Sequence, residues 1–300
     1  MRLNLKQLEA FVWVADLQSF RRAADRLNTT QPNISARIAA LEVALGTTLM
    51  TRDAGSVRLT GRGQALLPHA RQVLDATDAL IAAAGNTDLI DGTLRLGVTE
   101  MIVHTWLRDF LRAIKDRFAH LTVELTVDLS VNLEKQLADR TIDLAVQNAP
   151  FNRLISGQID LGTYPLIWVA QPGVLPAGRV RLADLIQHPI LTHARDTRLY
   201  AEVAAHVGAD ARLVPSSNLA ACLHMTLNGM GVATLPAAMV ARDIASGALL
   251  RIPYGWTPDP LHFFARFDAE RSPRMVADCA ALALEAARAF DHETLSNPSH

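Results

Sequence analysis

The sequence predicts an α/β protein in three parts: an N-terminal all-α winged helix-turn-helix, a long linker helix, and a two-lobed α/β domain with a cleft between its lobes. Three observations predict it. Apolar residues recur at three-and-four spacing across residues 5–45, an amphipathic helical pattern runs unbroken from Gly61 to about Ala84, and short strands alternate with helices from Thr93 onward.

Leu5, Leu8, Val12 and Ala15 form the apolar stripe of a first helix, with Asn4 and Gln7 as a capping pair. A second helix covers about Phe20 to Asn28, and its small Ala23 and Ala24 allow close approach of a neighbour. A third starts after Thr29 with Thr30 as N-cap, Pro32 in its first turn and Gly46 as C-terminal cap. Two short helices joined by a tight turn form a helix-turn-helix pattern. The outer side of the third offers Gln31, Asn33, Ser35 and Arg37, whose donors and acceptors suit base edges or phosphates. Leu49 to Arg52 and Val57 to Thr60 flank an Asp53-Ala54-Gly55 turn and form a β-wing carrying Arg52 and Arg58. The long helix from Gly61 spans about 36 Å, and its stripe of Leu66, Leu67, Ala70, Val73, Leu74 and Leu80 calls for the same helix of a second copy as cover.

Beyond a Thr87-Asp88 hinge, Thr93 to Val98 alternates as a strand, a single helix runs from about Met101 to Phe118, and Leu121 to Leu129 alternates as an edge strand. A helix to Asp139 and a strand from Ile142 to Val146 complete one βαβαβ set. The second set comprises Leu166 to Ala170, Ile190 and Leu191, a helix after Thr197, Leu213 and Val214, a helix from Asn218, and Val232 to Leu235. The expected boundaries are 1–60, 61–88 and 89–300, with lobe I at about 92–161 plus 266–300 and lobe II at about 162–265. Ligands of open α/β sheets sit beyond the carboxyl ends of strands. That rule selects Thr99 and Glu100, Ser130, Gln147 and Asn148 in the first lobe, and His193, Arg195 and Thr197 in the second. Arg195 and His193 suit a carboxylate, whereas Glu100 suits an amine or hydroxyl.

Composition narrows the function. Gly and Pro make 30 of the 300 residues, too few for a disordered or collagenous chain. A net charge of -1 excludes a protein that coats nucleic acid by bulk charge. That near-neutral total is itself uneven: residues 1–80 hold 10 Lys+Arg against 7 Asp+Glu, or +3, leaving -4 for the rest. Cys222 and Cys279 lack metal-site spacing and read as reduced structural thiols. Lys6, Glu9 and Asp16 interrupt the N-terminal apolar stretch, and the run Gly229 to Ala241 is too short to span a bilayer, so a soluble cytoplasmic protein without a membrane partner is expected.

Enzyme motifs are missing. The sequence has no G-x-S-x-G, P-loop, H-E-x-x-H or complete dinucleotide fingerprint. Gly61-Arg62-Gly63 reads as a turn into the long helix and Gly229-Met230-Gly231 as a helix-ending turn before a strand. Cys222 and His224 lie about 200° apart around a helix and cannot act as a pair. No metal, cofactor or catalytic residue is expected.

The stretch from Leu3 to about Leu74 resembles the winged helix-turn-helix of LysR-type transcriptional regulators, through the pattern A-A-x-x-L-x-x-x-Q-P-x-x-S-x-x-I-x-x-L-E that begins at Ala23. The rest resembles that family's effector domain more loosely, over its full length. The resemblance implies Thr30, Gln31, Pro32, Asn33 and Ser35 at the DNA-facing start of the recognition helix, with Arg52 in the wing. Two positions depart from the pattern. Ala36 stands where an arginine commonly follows the serine, and Arg37 lies about 100° further around, placed for a phosphate. Met50 replaces the usual wing phenylalanine. The resemblance further implies lobes of periplasmic-binding-protein type, a small-molecule effector, often a small organic acid, and a homodimer or homotetramer. It also implies a partly palindromic double-stranded DNA operator and RNA polymerase as a further partner. The competing reading is a cytoplasmic solute-binding sensor whose helix-turn-helix serves only assembly.

Overall fold

The computed structural model describes residues 3–53, 56–83, 92–176 and 178–296. The chain divides into two compact units, Met1–Asp91 with Arg271–Met275, and Gly92–Glu270 with Val276–His300. The hinge residues Thr87 and Asp88 and the wing-tip residues Ala54 and Gly55 lie outside the described residues.

In the first unit, α1 (Leu5–Leu17) opens with a complete capping box, Asn4 and Gln7 each accepting the other's backbone N–H at 3.0 and 3.1 Å. Helix α2 (Phe20–Arg26) is capped by Ser19, and α3 (Gln31–Leu45) by Thr30, whose Oγ1 accepts from Asn33 N at 3.5 Å. Gly46 ends α3 at φ 65°, the left-handed conformation that glycine adopts without strain. Phe11, Ile34, Leu41 and Leu49 are buried at the centre of this unit's core.

The wing pairs β1 (Met50–Asp53) antiparallel with β2 (Ser56–Leu59). Its root is tied to α3, because Glu42 Oε1 accepts from Leu49 N at 2.7 Å and Met50 N at 3.2 Å. Thr60 then starts α4 (Gly61–Ala83), accepting from Gly63 N at 3.0 Å while donating to Thr48 O at 2.7 Å. A Cβ at Gly63 would lie 2.1 Å from Leu49 O, so this glycine serves the packing of helix on wing rather than phosphate binding. Leu66, Leu67 and Leu74 of α4 pack on the core, whereas Val73 and Leu80 stay exposed.

The second unit contains two five-stranded sheets. The first has the order β4-β3-β5-β12-β6, built from β3 (Gly92–Val98), β4 (Leu121–Val127), β5 (Leu144–Asn148), β6 (Gly157–Tyr164) and β12 (Leu261–Phe267). β3 runs parallel to β4 and β5, and β12 runs antiparallel between β5 and β6. The second has the order β11-β7-β10-β8-β9, from β7 (Leu166–Ala170), β8 (Ile190–His193), β9 (Leu213–Ser216), β10 (Val232–Pro236) and β11 (Leu250–Arg251). Its parallel centre is β9-β8-β10, with β7 and β11 antiparallel beside it. The chain passes from one sheet to the other at Pro165 and returns between β11 and β12.

Several expectations change. The single helix over 101–118 is two, α5 (Glu100–Val103) and α6 (Leu107–Arg117). Trp106 breaks it by burying its indole, whose Nε1 donates to Tyr164 Oη at 2.9 Å, and Thr105 Oγ1 donates to Met101 O at 2.9 Å across the break. The third strand begins two residues later than expected and contains Gln147 and Asn148 instead of ending before them. The lobe boundaries at 161/162 and 265/266 fall inside β6 and β12, and both whole strands belong to the first sheet. Leu125 and Val127 on edge strand β4 are exposed, so that strand is open on its apolar side as well. Strands β6, β11 and β12 and helices α8 (Leu182–Leu185), α11 (Ala237–Ala245) and α12 (Arg274–Ser296) had no expectation. The remaining helices are α7 (Ser130–Ala138), α9 (Arg198–Val207) and α10 (Leu219–Leu227), the last ending in a turn with Gly229 at φ 68°. Among the described residues no helix is long and apolar enough to cross a membrane.

Candidate functional site

Two surfaces carry the side chains singled out from the sequence. On the first unit, the opening turn of α3 leaves Thr30, Gln31, Pro32 and Asn33 exposed, while Ser35 and Arg37 are half-buried further along. Asn33 Nδ2 donates to Thr29 Oγ1 at 3.2 Å, which couples this turn to the preceding loop. Arg58 is exposed on β2, and the side chain of Arg52 lies outside the described residues.

On the second unit a cavity of about 440 Å³ lies between the two sheets, a size typical of small-molecule sites. Thr99, Glu100, Ser130 and Asn148 line it from the first lobe, His193 and Thr197 from the second. Each sits at the carboxyl end of a strand or the first turn of a helix, where backbone donors converge. Ser130 Oγ donates to Asn148 Oδ1 at 2.8 Å and accepts from Asn148 N at 3.1 Å, joining α7 to β5 at the cavity wall. Thr197 caps α9 by accepting from Tyr200 N at 3.3 Å.

Two expected residues are placed elsewhere. Gln147 is fully buried and absent from the cavity wall, with neither amide atom bonded to a protein group. Thr99, just past the end of β3, is 8% exposed and its Oγ1 also lacks a protein partner. Arg195 is off the cavity wall, donating to Tyr200 Oη at 2.7 Å. Burial also holds the His193 imidazole below its usual pKa, against the pull of Glu100 and Asp196. Arg195 and His193 therefore form no cationic pair in this conformation.

Glu100 does something the sequence did not suggest. Its carboxylate crosses from the first lobe to the second, accepting from Leu219 N at 2.5 Å and Ala220 N at 3.2 Å at the start of α10. Charge complementarity between a carboxylate and a helix N-terminus accounts for the contact.

Asp128, Asn132, Glu134, Asn152, Asp196, Arg198, Asn218 and Phe263 also line the cavity and were not selected from sequence. Applying the strand-end rule to β9 would have reached Asn218. Phe263 had no signal, because it lies on an antiparallel strand returning from far along the chain. Glu134 and Arg266 form a buried pair at 3.3 Å. Burial pushes the Glu134 carboxyl up, but the amides of Arg153 and Asn152 together with Arg266 bring it below its usual range. Arg266 also lies 3.7 Å over the Phe151 ring, so the pair fixes the loop that carries Pro150 and Asn152 along the cavity. Arg198 at the rim is engaged by Glu202 at 3.0 Å and Asp259 at 3.2 Å.

Both thiols are free and buried, Cys222 pushed up to about 11 and Cys279 to about 12 by burial. Among the described residues no group of His, Cys, Asp and Glu could hold a metal ion.

Comparison with known proteins matches two family models in chain order: "Bacterial regulatory helix-turn-helix protein, lysR family" over residues 5–64 and "LysR substrate binding domain" over residues 87–288. A probable hydrogen peroxide-inducible genes activator of Mycobacterium avium is 34% identical over 253 residues, 81% of this chain and 80% of that protein. The HTH-type transcriptional regulator PtxR of Pseudomonas aeruginosa is 30% identical over 265 residues, 85% of this chain and 83% of that one. Among solved structures, a full-length OxyR variant from Pseudomonas aeruginosa superposes with a TM-score of 0.60 at 20% identity, covering 96% of this chain and 95% of that one. ArgP from Mycobacterium tuberculosis gives 0.59 at 20% identity, covering 95% and 98%. These two likenesses are of fold.

Proposed function

The chain belongs to the LysR-type transcriptional regulator family, whose members are regulators and not enzymes, and from that premise we propose a specific reading. It is a sequence-specific DNA-binding regulator controlled by a small organic acid held between the two lobes of its second unit. The observation that carries the reading is the pairing, in one chain, of an exposed polar helix start at Thr30–Asn33 with a ligand-sized cavity at the strand ends.

In this reading Gln31 and Asn33 address base edges in the major groove, Thr30, Pro32 and Ser35 seat the helix start against the duplex, and Arg37 and Arg52 reach phosphates. A weakly positive unit gains affinity by doubling its phosphate contacts, and the exposed Val73 and Leu80 on α4 support pairing with a second copy in a homodimer or homotetramer. Two recognition helices then set half-sites about one helical turn or a multiple apart on a partly palindromic operator, with RNA polymerase the partner that reads the outcome. Effector binding acts through its differential affinity for two assembly states.

The signal is a bound molecule and not thiol oxidation. A thiol with a pKa near 11 is ionised to only about one part in ten thousand at pH 7, and the thiolate is the reactive species. Replacing both cysteines by serine is expected to leave induction intact.

Gel retardation on the DNA upstream of its own gene tests the reading. Retention is expected to fall steeply with salt, and the double substitution Gln31→Ala, Arg37→Ala to abolish it. Unchanged affinity in that variant would assign the helix-turn-helix to assembly alone. A thermal-shift screen of small carboxylates is expected to find one that raises the unfolding temperature.

A further inference from the structure

We propose that the N-terminus of α10 is a carboxylate-binding subsite of the cleft, filled in this conformation by the protein's own Glu100 and taken over by an effector carboxylate that displaces it. The proposal rests on the effector reading above and specifies where the ligand's acid group goes and what it must displace.

The first four N–H groups of any helix lack partners inside it. In α10 two are satisfied locally: Asn218 N donates to Ser216 Oγ at 3.1 Å and Ala221 N to Asn218 Oδ1 at 2.7 Å. The other two, Leu219 N and Ala220 N, receive one oxygen each of the Glu100 carboxylate, from a residue 119 positions away on the other lobe. Two convergent amides at a helix's positive end form a fork for a carboxylate. Local sequence leaves that fork empty, and only a long-range anion fills it.

A second, independent group points to a ligand in the same place. Thr99, next to Glu100 in the chain, lines the cavity with a hydroxyl that has no protein partner although the residue is 8% exposed. Buried hydroxyls are normally paired. A ligand carboxylate on the amides of Leu219 and Ala220 would adjoin Thr99 and meet a third donor. The displaced Glu100 also has a destination, since His104 Nε2 lies 3.9 Å from its Oε1, one turn along.

The exchange has a mechanical consequence. Glu100 on α10 is a direct polar tie between the lobes across the cavity. An effector that takes the amides releases that tie and substitutes its own contacts, so binding and lobe geometry are coupled. A tethered carboxylate also competes at high effective concentration, so a simple anion cannot displace it. The effector must add contacts elsewhere in the cavity.

The test uses the full chain labelled with ¹⁵N-leucine and ¹⁵N-alanine, with acetate as the probe. In the wild-type protein the Leu219 and Ala220 amide resonances are expected not to respond to acetate. In Glu100→Ala both resonances shift, and acetate returns them toward their wild-type positions in a saturable titration that chloride at equal ionic strength does not reproduce. Glu100→Gln keeps one carbonyl acceptor and is expected to show a smaller shift and a weaker response; it decides the matter alone if the alanine variant does not fold. Amides unmoved by substitution, or an acetate response located elsewhere, overturn the subsite. DNA retention by the same preparations reports separately on the regulator reading, which survives if binding persists while the subsite fails.

Discussion

The two units of this chain build their functional surfaces by opposite routes. In the first, the recognition turn is shaped by neighbours in sequence: Thr30 caps Asn33, Asn33 reaches Thr29, and Gly46 closes the same helix. In the second, the cavity is held by bonds over great sequence distance, such as Glu134 to Arg266, Trp106 to Tyr164 and Glu100 to Leu219. A local site tolerates loss of one bond, because α3 persists by packing its Ile34 and Leu41 into the core with Phe11. A long-range site depends on each tie, because chain entropy opposes every one of them.

The largest expected effect tests the long-range side. Glu134→Ala leaves the Arg266 guanidinium buried without its carboxylate, and breaking such a pair costs about 3–5 kcal/mol. Urea denaturation is expected to show this loss together with weaker effector binding, since Asn152 loses its anchor. A loss under about 1 kcal/mol would mean that the pair behaves as a surface bridge and that the contrast between the units is overstated.

Next comes Asp143, a buried carboxyl at the head of β5 whose pKa is raised to about 6, first by burial and further by Glu124, against the amide and charge of Arg95 and the charge of Arg140. Because the folded value lies above the ordinary one near 3.8, the folded state holds this proton more tightly. Its contribution to stability is complete below about pH 4 and is lost as the pH rises to about 6. Asp143→Asn removes that loss while keeping an acceptor for Arg95 N. The variant's advantage is expected to grow from little near pH 4 to about 3 kcal/mol well above pH 6, measured by denaturation across that range. A constant difference at all pH values would refute the assignment.

The smallest effect belongs to the local side. Thr30→Ala removes the α3 cap at a cost of about 1 kcal/mol, and Thr30→Ser restores the cap. Comparing their DNA affinities sharpens the comparison further. If serine recovers stability and binding together, Thr30 acts through the helix start; if it recovers stability alone, the threonine methyl itself meets DNA.

The same division explains what could be read in advance. The helices of the first unit, their caps and the wing follow from chemistry within a few residues, and the sequence reading places them within a residue or two. Thr99, Ser130, Asn148, His193 and Thr197 were also legible, because strand ends can be found from local alternation and the cavity lies where strands end. The single helix over 101–118 was misread because nothing within it reveals that Trp106 must turn inward to meet Tyr164. Arg195 lies off the cavity wall because its guanidinium turns to the Tyr200 hydroxyl on α9.

The sequence by itself determined the order of the elements, the helix-turn-helix with its exposed polar start, the excess of positive charge in the first 80 residues, and the strand ends around which a cleft forms. These are properties of period, capping and composition, which act over one or two turns of chain. Only the tertiary structure decided that β12 inserts between β5 and β6, that Gln147 is buried off the cavity wall, and that Glu100 bonds the start of α10. Those outcomes join groups up to 123 residues apart, Leu144 and Phe267. Pairings at that separation follow from how the sheets close and not from any pattern along the chain.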